Sequence, residues 1–234
     1  MKKHIPNSIT LLNLCSGIIA IIVAMKNNFE LAAIMVIIAS LFDFCDGLVA
    51  RLLHVKSDIG KELDSLSDVV SFGVAPAIIM YQLYFHVGTF TLNKLSINIA
   101  VLLFPMLYAC FAALRLAKFN IDTRQTENFR GLPTPGAAFV LISLPFFPTF
   151  EYSLILINTI IITLCYLMIS NIPLFSLKFK NLKLKENIFR YILLFISIIL
   201  VALLKFKAIP FIIFVYIVLS IIEIYFKKLN TKNV

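Results

Sequence analysis

Residues 43–68 read DFCDGLVARLLHVKSDIGKELDSLSD, and four of their aspartates fall at helical spacing. Asp43 and Asp46 are three apart, with Gly47 and Ala50 following on the same helical face, while Asp64 and Asp68 are four apart, with Gly60 a turn earlier. On helices, each pair projects two carboxylates from one side. The connection of about a dozen residues makes the two helices antiparallel neighbours. The four carboxylates are therefore predicted to converge on one point. Arg51, eight residues beyond Asp43, stands roughly 12 Å further along its helix, at headgroup level with Asp43 slightly deeper.

The surroundings of this stretch are apolar. Across 234 residues the chain is 61% hydrophobic and only 14% charged, with a mean hydropathy of +0.98. Runs of roughly 20 apolar residues can cross a bilayer as helices. Eight are predicted, over approximately 8–25, 29–50, 64–86, 96–117, 133–150, 153–171, 188–205 and 209–226. The expected fold is an all-α, polytopic membrane helix bundle with both termini cytoplasmic. It forms one membrane domain over 1–234: a six-helix catalytic core (1–173), then a basic loop and two helices (174–234).

Charge placement sets the orientation. Of 21 Lys and Arg residues, only Lys26, Lys94, Lys205 and Lys207 fall on the outer side if the N-terminus is inside. That asymmetry is the positive-inside pattern, and it accounts for the net charge of +9 without nucleic acid. A basic inner face also attracts anionic lipid headgroups. The expected location is the cell membrane, multi-pass, with the active site at the cytoplasmic interface. The basic, apolar N-terminus is too long for an ordinary signal peptide and reads as a retained first span.

Cys15, Cys45, Cys110 and Cys165 show no paired spacing and read as small buried side chains rather than disulfides or a metal site. His4, His54 and His86 do not cluster, and none is assigned catalysis. Lys178, Lys180, Lys183 and Lys185 serve topology. The two helices after them carry almost nothing polar and read as structural, serving packing or a homodimer contact.

Ionisable groups at membrane depth are costly and point to function. Four carboxylates repel one another, and Arg51 alone cannot neutralise them. Divalent cations can, and oxygen-rich sites suit Mg²⁺ or Mn²⁺, which also bind substrate phosphates. Gly47, Ala50 and Gly60 would leave space for a phosphate ligand near the backbone. The competing reading makes the acids interfacial residues paired with Arg51, Lys56 and Lys61.

The pattern Asp43-x2-Asp46-Gly47-x2-Ala50-Arg51-x8-Gly60-x3-Asp64-x3-Asp68 resembles the signature of the CDP-alcohol phosphotransferases, with every fixed position present. The resemblance implies two Mg²⁺ or Mn²⁺ ions held by Asp43, Asp46, Asp64 and Asp68, with Asp68 as general base. PNSITLLNLCSG (6–17), RLAKFN (115–120) and FRGLPTPGAA (129–138) are similar to the integral-membrane phosphatidylserine synthases of that family. This implies CDP-diacylglycerol and L-serine as substrates, and phosphatidylserine and CMP as products. Relatives using glycerol 3-phosphate, inositol phosphate or an archaeal lipid donor share the N-terminal part. A cation-coupled transporter is the reading from another class; such sites lie near the bilayer midplane, whereas these acids sit at one interface.

Beside the signature, Asn7, Thr10, Asn13 and Gly17 fall near one face of the first helix. They either line the CDP-diacylglycerol pocket with Gly47, Ala50, Arg51 and Gly60, or act as polar contacts between helices. Arg115 has the planar fork for a serine carboxylate; Lys118 reads equally as a topological anchor. Asn120 and Thr134 complete the expected serine site. Pro133 and Pro135 are predicted to open the fifth helix, whose N–H groups either receive an anion or only start the helix.

Overall fold

The computed structural model describes residues 4–55, 57–91, 97–121, 128–148, 153–175 and 184–232. Lys56, Lys94, Arg124, Lys178, Lys180 and Lys183 lie outside the described residues. Helices α1 (His4–Met25) and α2 (Phe29–Leu52) are joined by a tight turn. Asn27 adopts a left-handed φ of 59° there, and Asn28 caps α2 by accepting from the Leu31 N–H at 3.1 Å. Small buried residues on both helices, Ala20, Ala24, Ala32, Ala33 and Ala39, let the two backbones pack along their length.

The third apolar segment starts earlier than expected. Ser57 caps α3 (Asp58–Asp68) by accepting from the Gly60 N–H at 3.1 Å. An N-cap of this kind contributes about 1 kcal/mol. Asp64 and Asp68 therefore sit inside a formed helix rather than at its first turn. A π-helix (Val69–Val74) follows without a break, then α4 (Ala75–Thr91) and α5 (Ile97–Ile121).

Residues 133–150 were expected to cross in one helix, but α6 (Thr134–Ser143) has only 10 residues before a 3₁₀ turn at Leu144–Phe146. Pro145 lacks the N–H that another α-turn would use. As expected, Pro133 and Pro135 flank the start of α6. Helix α7 (Leu154–Ile169) is tied to α4 by a hydrogen bond from Tyr84 to Asn158. Helices α8 (Leu184–Leu204) and α9 (Ala208–Lys232) pack together as a hairpin through a 3₁₀ turn at Lys205–Lys207.

One departure from an all-α fold is a short antiparallel ribbon of β1 (Asn128–Arg130) and β2 (Pro173–Phe175), pairing Phe129 with Leu174. Gly131 ends β1 at φ +72°, its N–H bonded to the Ile172 carbonyl at 2.8 Å. A Cβ at Gly131 would lie 2.6 Å from the Met168 carbonyl oxygen, so an alanine there breaks the ribbon.

Four stretches are long and apolar enough to cross a membrane among the described residues: His4–Met25, Phe29–Leu52, Asp58–Phe85 and Asn187–Tyr225. The last is strongly apolar, yet few of its side chains are buried. Apolar side chains such as Phe195 and Leu203 face outward, so this surface requires lipid or another apolar cover. The cysteines follow the same inversion. Cys165 is buried as expected, but Cys15 and Cys110 are exposed on outward faces, and none forms a disulfide.

Candidate active site

The hairpin of α2 into α3 brings carboxylates from both helices together. One oxygen each of Asp43, Asp64 and Asp68 lies within 4.8 Å of the others. Asp46 is not one of these three and accepts a hydrogen bond from the Thr10 hydroxyl at 2.5 Å. The fourth carboxylate of the expected set, Asp46, stands one turn along α2, bonded to α1 and sharing the cavity wall with Asp64. Their pairing with the described cations does not account for them. Arg51 gives its Nε–H to the Gly47 carbonyl at 2.9 Å, and Lys61 gives its ammonium to the Asn120 carbonyl at 3.3 Å.

Helix α1 supplies the other wall. Asn13 is fully buried and donates from Nδ2 to Asp68 Oδ1 at 3.1 Å. Asp64 Oδ1 and Asn13 Oδ1 are buried acceptors without a hydrogen-bond donor among the described residues. A buried carboxylate oxygen lacking a donor costs on the order of 1–3 kcal/mol or more unless something supplies positive charge. Three converging carboxylates and an orphaned oxygen are the donor set of a hard divalent cation, so the residues fit such ions.

A cavity of about 370 Å³ opens beside the carboxylates, bounded by Asp46 and Asp64 and walled by Asn7, Thr10, Gly47, Ala50 and Gly60. The glycines differ in role. A Cβ at Gly47 would meet nothing within 4 Å, so the space beside it is open. Gly60 lines the same cavity, and a Cβ there would lie 2.9 Å from Asn7 Oδ1, so its lack of a side chain makes room for that of Asn7. Arg51 and Asn13 do not line the cavity: Arg51 is exposed at its rim helix, and Asn13 sits against Asp68.

Arg115 is 7% exposed, with its guanidinium 4.9 Å from the Phe119 ring centroid and within Coulombic range of Asp68. The side-chain amide of Asn120 donates to the Ser65 hydroxyl at 2.7 Å and ties the end of α5 to α3. Thr134 is fully buried at the start of α6, and its hydroxyl has no partner among the described residues. No hydrogen bond joins these three residues to one another among the described residues.

A match to the CDP-alcohol phosphatidyltransferase family model covers residues 3–171, from α1 to just past α7. The chain belongs to that family. It is 37% identical over 170 residues to the CDP-diacylglycerol–serine O-phosphatidyltransferase of Bacillus subtilis, covering 73% of this chain and 89% of that protein. The Helicobacter pylori (strain J99) protein of the same name is 35% identical over 204 residues, 84% of this chain and 81% of its own. The archaetidylserine synthase of Methanothermobacter thermautotrophicus is 40% identical over 171 residues, 72% of this chain and 68% of its own.

Several buried polar groups were missed by the sequence reading. Ser67, Ser71 and Tyr108 are fully buried around α3 and the π-helix. Helices α8 and α9, expected to be featureless, bury Asn187, Tyr216, Ser220 and Glu223. Tyr216 donates to the Phe175 carbonyl at 2.8 Å, and Arg190 stands 5.3 Å over the Phe175 ring, so the hairpin docks on β2. The spacing of Tyr216, Ser220 and Glu223 at i, i+4 and i+7 was the available signal of a polar face.

Proposed function

We propose that this chain transfers the phosphatidyl group of CDP-diacylglycerol to the hydroxyl of L-serine, giving phosphatidylserine and CMP. The observation that carries the reading is the Asp43, Asp64 and Asp68 cluster beside a cavity walled by small and polar residues of α1, α2 and α3. Membership of the family and the names of its relatives support the same reaction. The proposed setting is the cell membrane, crossed eight times with both termini cytoplasmic and the site at the inner interface; the distribution of Lys and Arg supports it.

Asp43, Asp46, Asp64 and Asp68 are the residues proposed to hold Mg²⁺ or Mn²⁺. Two such ions, when bound, would neutralise the charge that builds on the pyrophosphate. The cavity takes the cytidine diphosphate portion, with Gly47 leaving room for it, while the acyl chains stay in the bilayer. Arg115 pairs with the serine carboxylate, which the aspartates would otherwise repel. Asp68 takes the proton from the serine hydroxyl. The hydroxyl oxygen then bonds to the lipid-side phosphorus as the bond from that phosphorus to the CMP oxygen breaks, and CMP leaves with the electron pair. Because a carboxylate is a weak base for an alcohol, most of the acceleration comes from positioning and charge stabilisation.

A second donor is supported by one observation, the similarity to an archaetidylserine synthase. Incubating the purified protein with Mg²⁺ or Mn²⁺, a panel of alcohols and either CDP-diacylglycerol or its isoprenyl-ether counterpart tests both. Phosphatidylserine with CMP release is the expected product. A lipid product formed only from glycerol 3-phosphate or inositol phosphate would overturn serine as the acceptor, and product formed only from the ether donor would overturn the diacyl donor.

A further inference from the structure

The helix that carries Asp64 and Asp68 does not run on as a regular α-helix. Immediately after Asp68 it widens into the π-helix of Val69–Val74, where the Ala75 N–H reaches back five residues to the Val70 carbonyl. The cause lies in the sequence. Residue 76 is a proline, and a proline both lacks the N–H that would cap the carbonyl four residues back and crowds that carbonyl with its ring. Widening of the turn relieves the crowding, and single π-turns of this kind recur at functional sites.

The carbonyl concerned is that of Phe72, and it receives the hydroxyl of Tyr108 at 2.9 Å. Tyr108 comes from α5, is fully exposed to no solvent, and has this bond deep in the core. One residue before Phe72, Ser71 donates its hydroxyl to the backbone carbonyl of Asn13 at 3.1 Å. Asn13 in turn donates its side-chain amide to Asp68. A Cβ at Gly17, one turn further along α1, would lie 2.9 Å from the Ser71 Cα. Glycine is therefore what allows α1 and the widened turn to meet. Gly73 packs against α5 in the same way, its absent Cβ leaving 3.3 Å to that of Ala112.

We infer that Ser71 and Tyr108 are positioning residues for the transfer reaction: they lock the Pro76-induced π-turn against α1 and α5 and so fix the direction in which Asp68 presents its carboxylate. The inference rests on Asp68 being the base. Asp68 sits at the junction of α3 and the π-turn, so rotation of that turn moves its side chain directly. Displacement of a reacting group by about 1 Å can cost on the order of 100-fold in rate. Neither residue touches the cavity, so binding of the donor is left unaffected.

The test is steady-state kinetics of the purified full chain with CDP-diacylglycerol, serine and Mn²⁺, varying each substrate separately. Tyr108→Phe and Ser71→Ala each remove one hydroxyl. Both are expected to lower kcat about tenfold or more while KM for CDP-diacylglycerol stays within about twofold of the original. Tyr166→Phe, on the exposed face of α7, is the control. Pro76→Ala restores an N–H to the Phe72 carbonyl, so Tyr108→Phe should cost less in that background. An undiminished cost there would refute the link through Phe72. Unchanged kcat in Tyr108→Phe and Ser71→Ala, or a loss confined to thermal stability, would overturn the positioning role if Asp68→Asn is inactive. Turnover by Asp68→Asn at the original rate would instead overturn the assignment of the base.

Discussion

The side-chain amide of Asn13 on α1 donates to Oδ1 of Asp68 on α3 at 3.1 Å, joining residues 55 positions apart in the chain. A carboxylate gripped on one oxygen keeps the other available on a defined side, with Asp43 and Asp64 close by. Hydrogen bonds to charged groups contribute about 1.5–3 kcal/mol. Asn13→Ala should therefore lower kcat by roughly 10- to 100-fold, read from CMP release at saturating substrates. Asn13→Asp should lose more, since a further carboxylate would face Asp68. Turnover of Asn13→Ala within twofold of the original would show that Asp68 is oriented by other contacts.

Removing one carboxylate from the cluster tests ion binding apart from turnover. Asp43→Asn and Asp64→Asn are each expected to abolish CMP release nearly completely. They should also remove the rise in Tm that Mn²⁺ gives the unaltered protein, because only a folded site binds the ion. A thermal scan with and without chelator checks this independently of activity. Full activity of Asp43→Asn in chelator would refute an ion held there.

The two glycines on α1 and α2 give effects of opposite sign. Gly47→Ala places a methyl in open space and gains about 1 kcal/mol of helix propensity, so Tm should rise. The same methyl enters the cavity, so KM for CDP-diacylglycerol should rise as well. Gly17→Ala drives a Cβ into Ser71 and should lower Tm, with overpacking of this kind costing about 1–3 kcal/mol. Paired thermal and kinetic measurements decide it; a lower Tm in Gly47→Ala would mean that the space is filled by the protein itself.

Acceptor selection should separate Arg115 from Asn120. Arg115→Lys keeps the charge but loses the bidentate fork, so KM for serine should rise more than KM for CDP-diacylglycerol, and Arg115→Ala should be more severe. Asn120→Ala loses its bond to Ser65 and should cost about 1 kcal/mol of stability, with KM for serine unchanged. An Arg115→Ala protein with unaltered serine KM would place the carboxylate elsewhere, with Lys118, Arg124 and Arg130 next in line.

Much of this was legible in the chain itself. Helical spacing put Asp43 with Asp46 and Asp64 with Asp68 on common faces, and the apolar runs marked α1 and α2 closely, because both signals are local. The small residues Gly47 and Ala50 announced a cavity wall for the same reason. Tertiary structure decided what local spacing could not: that Asp46 takes a hydrogen bond from Thr10, 36 positions away, while oxygens of Asp43, Asp64 and Asp68 come together. It also decided that Gly60 stands against the Asn7 side chain, that the Asn120 amide bonds Ser65, and that Tyr108 reaches the Phe72 carbonyl. Pro76 lacks the N–H that would continue the hydrogen-bond ladder. Whether the helix would kink, end or widen there depended on which neighbour could satisfy the freed carbonyl, and that neighbour lies 36 residues further along, on another helix.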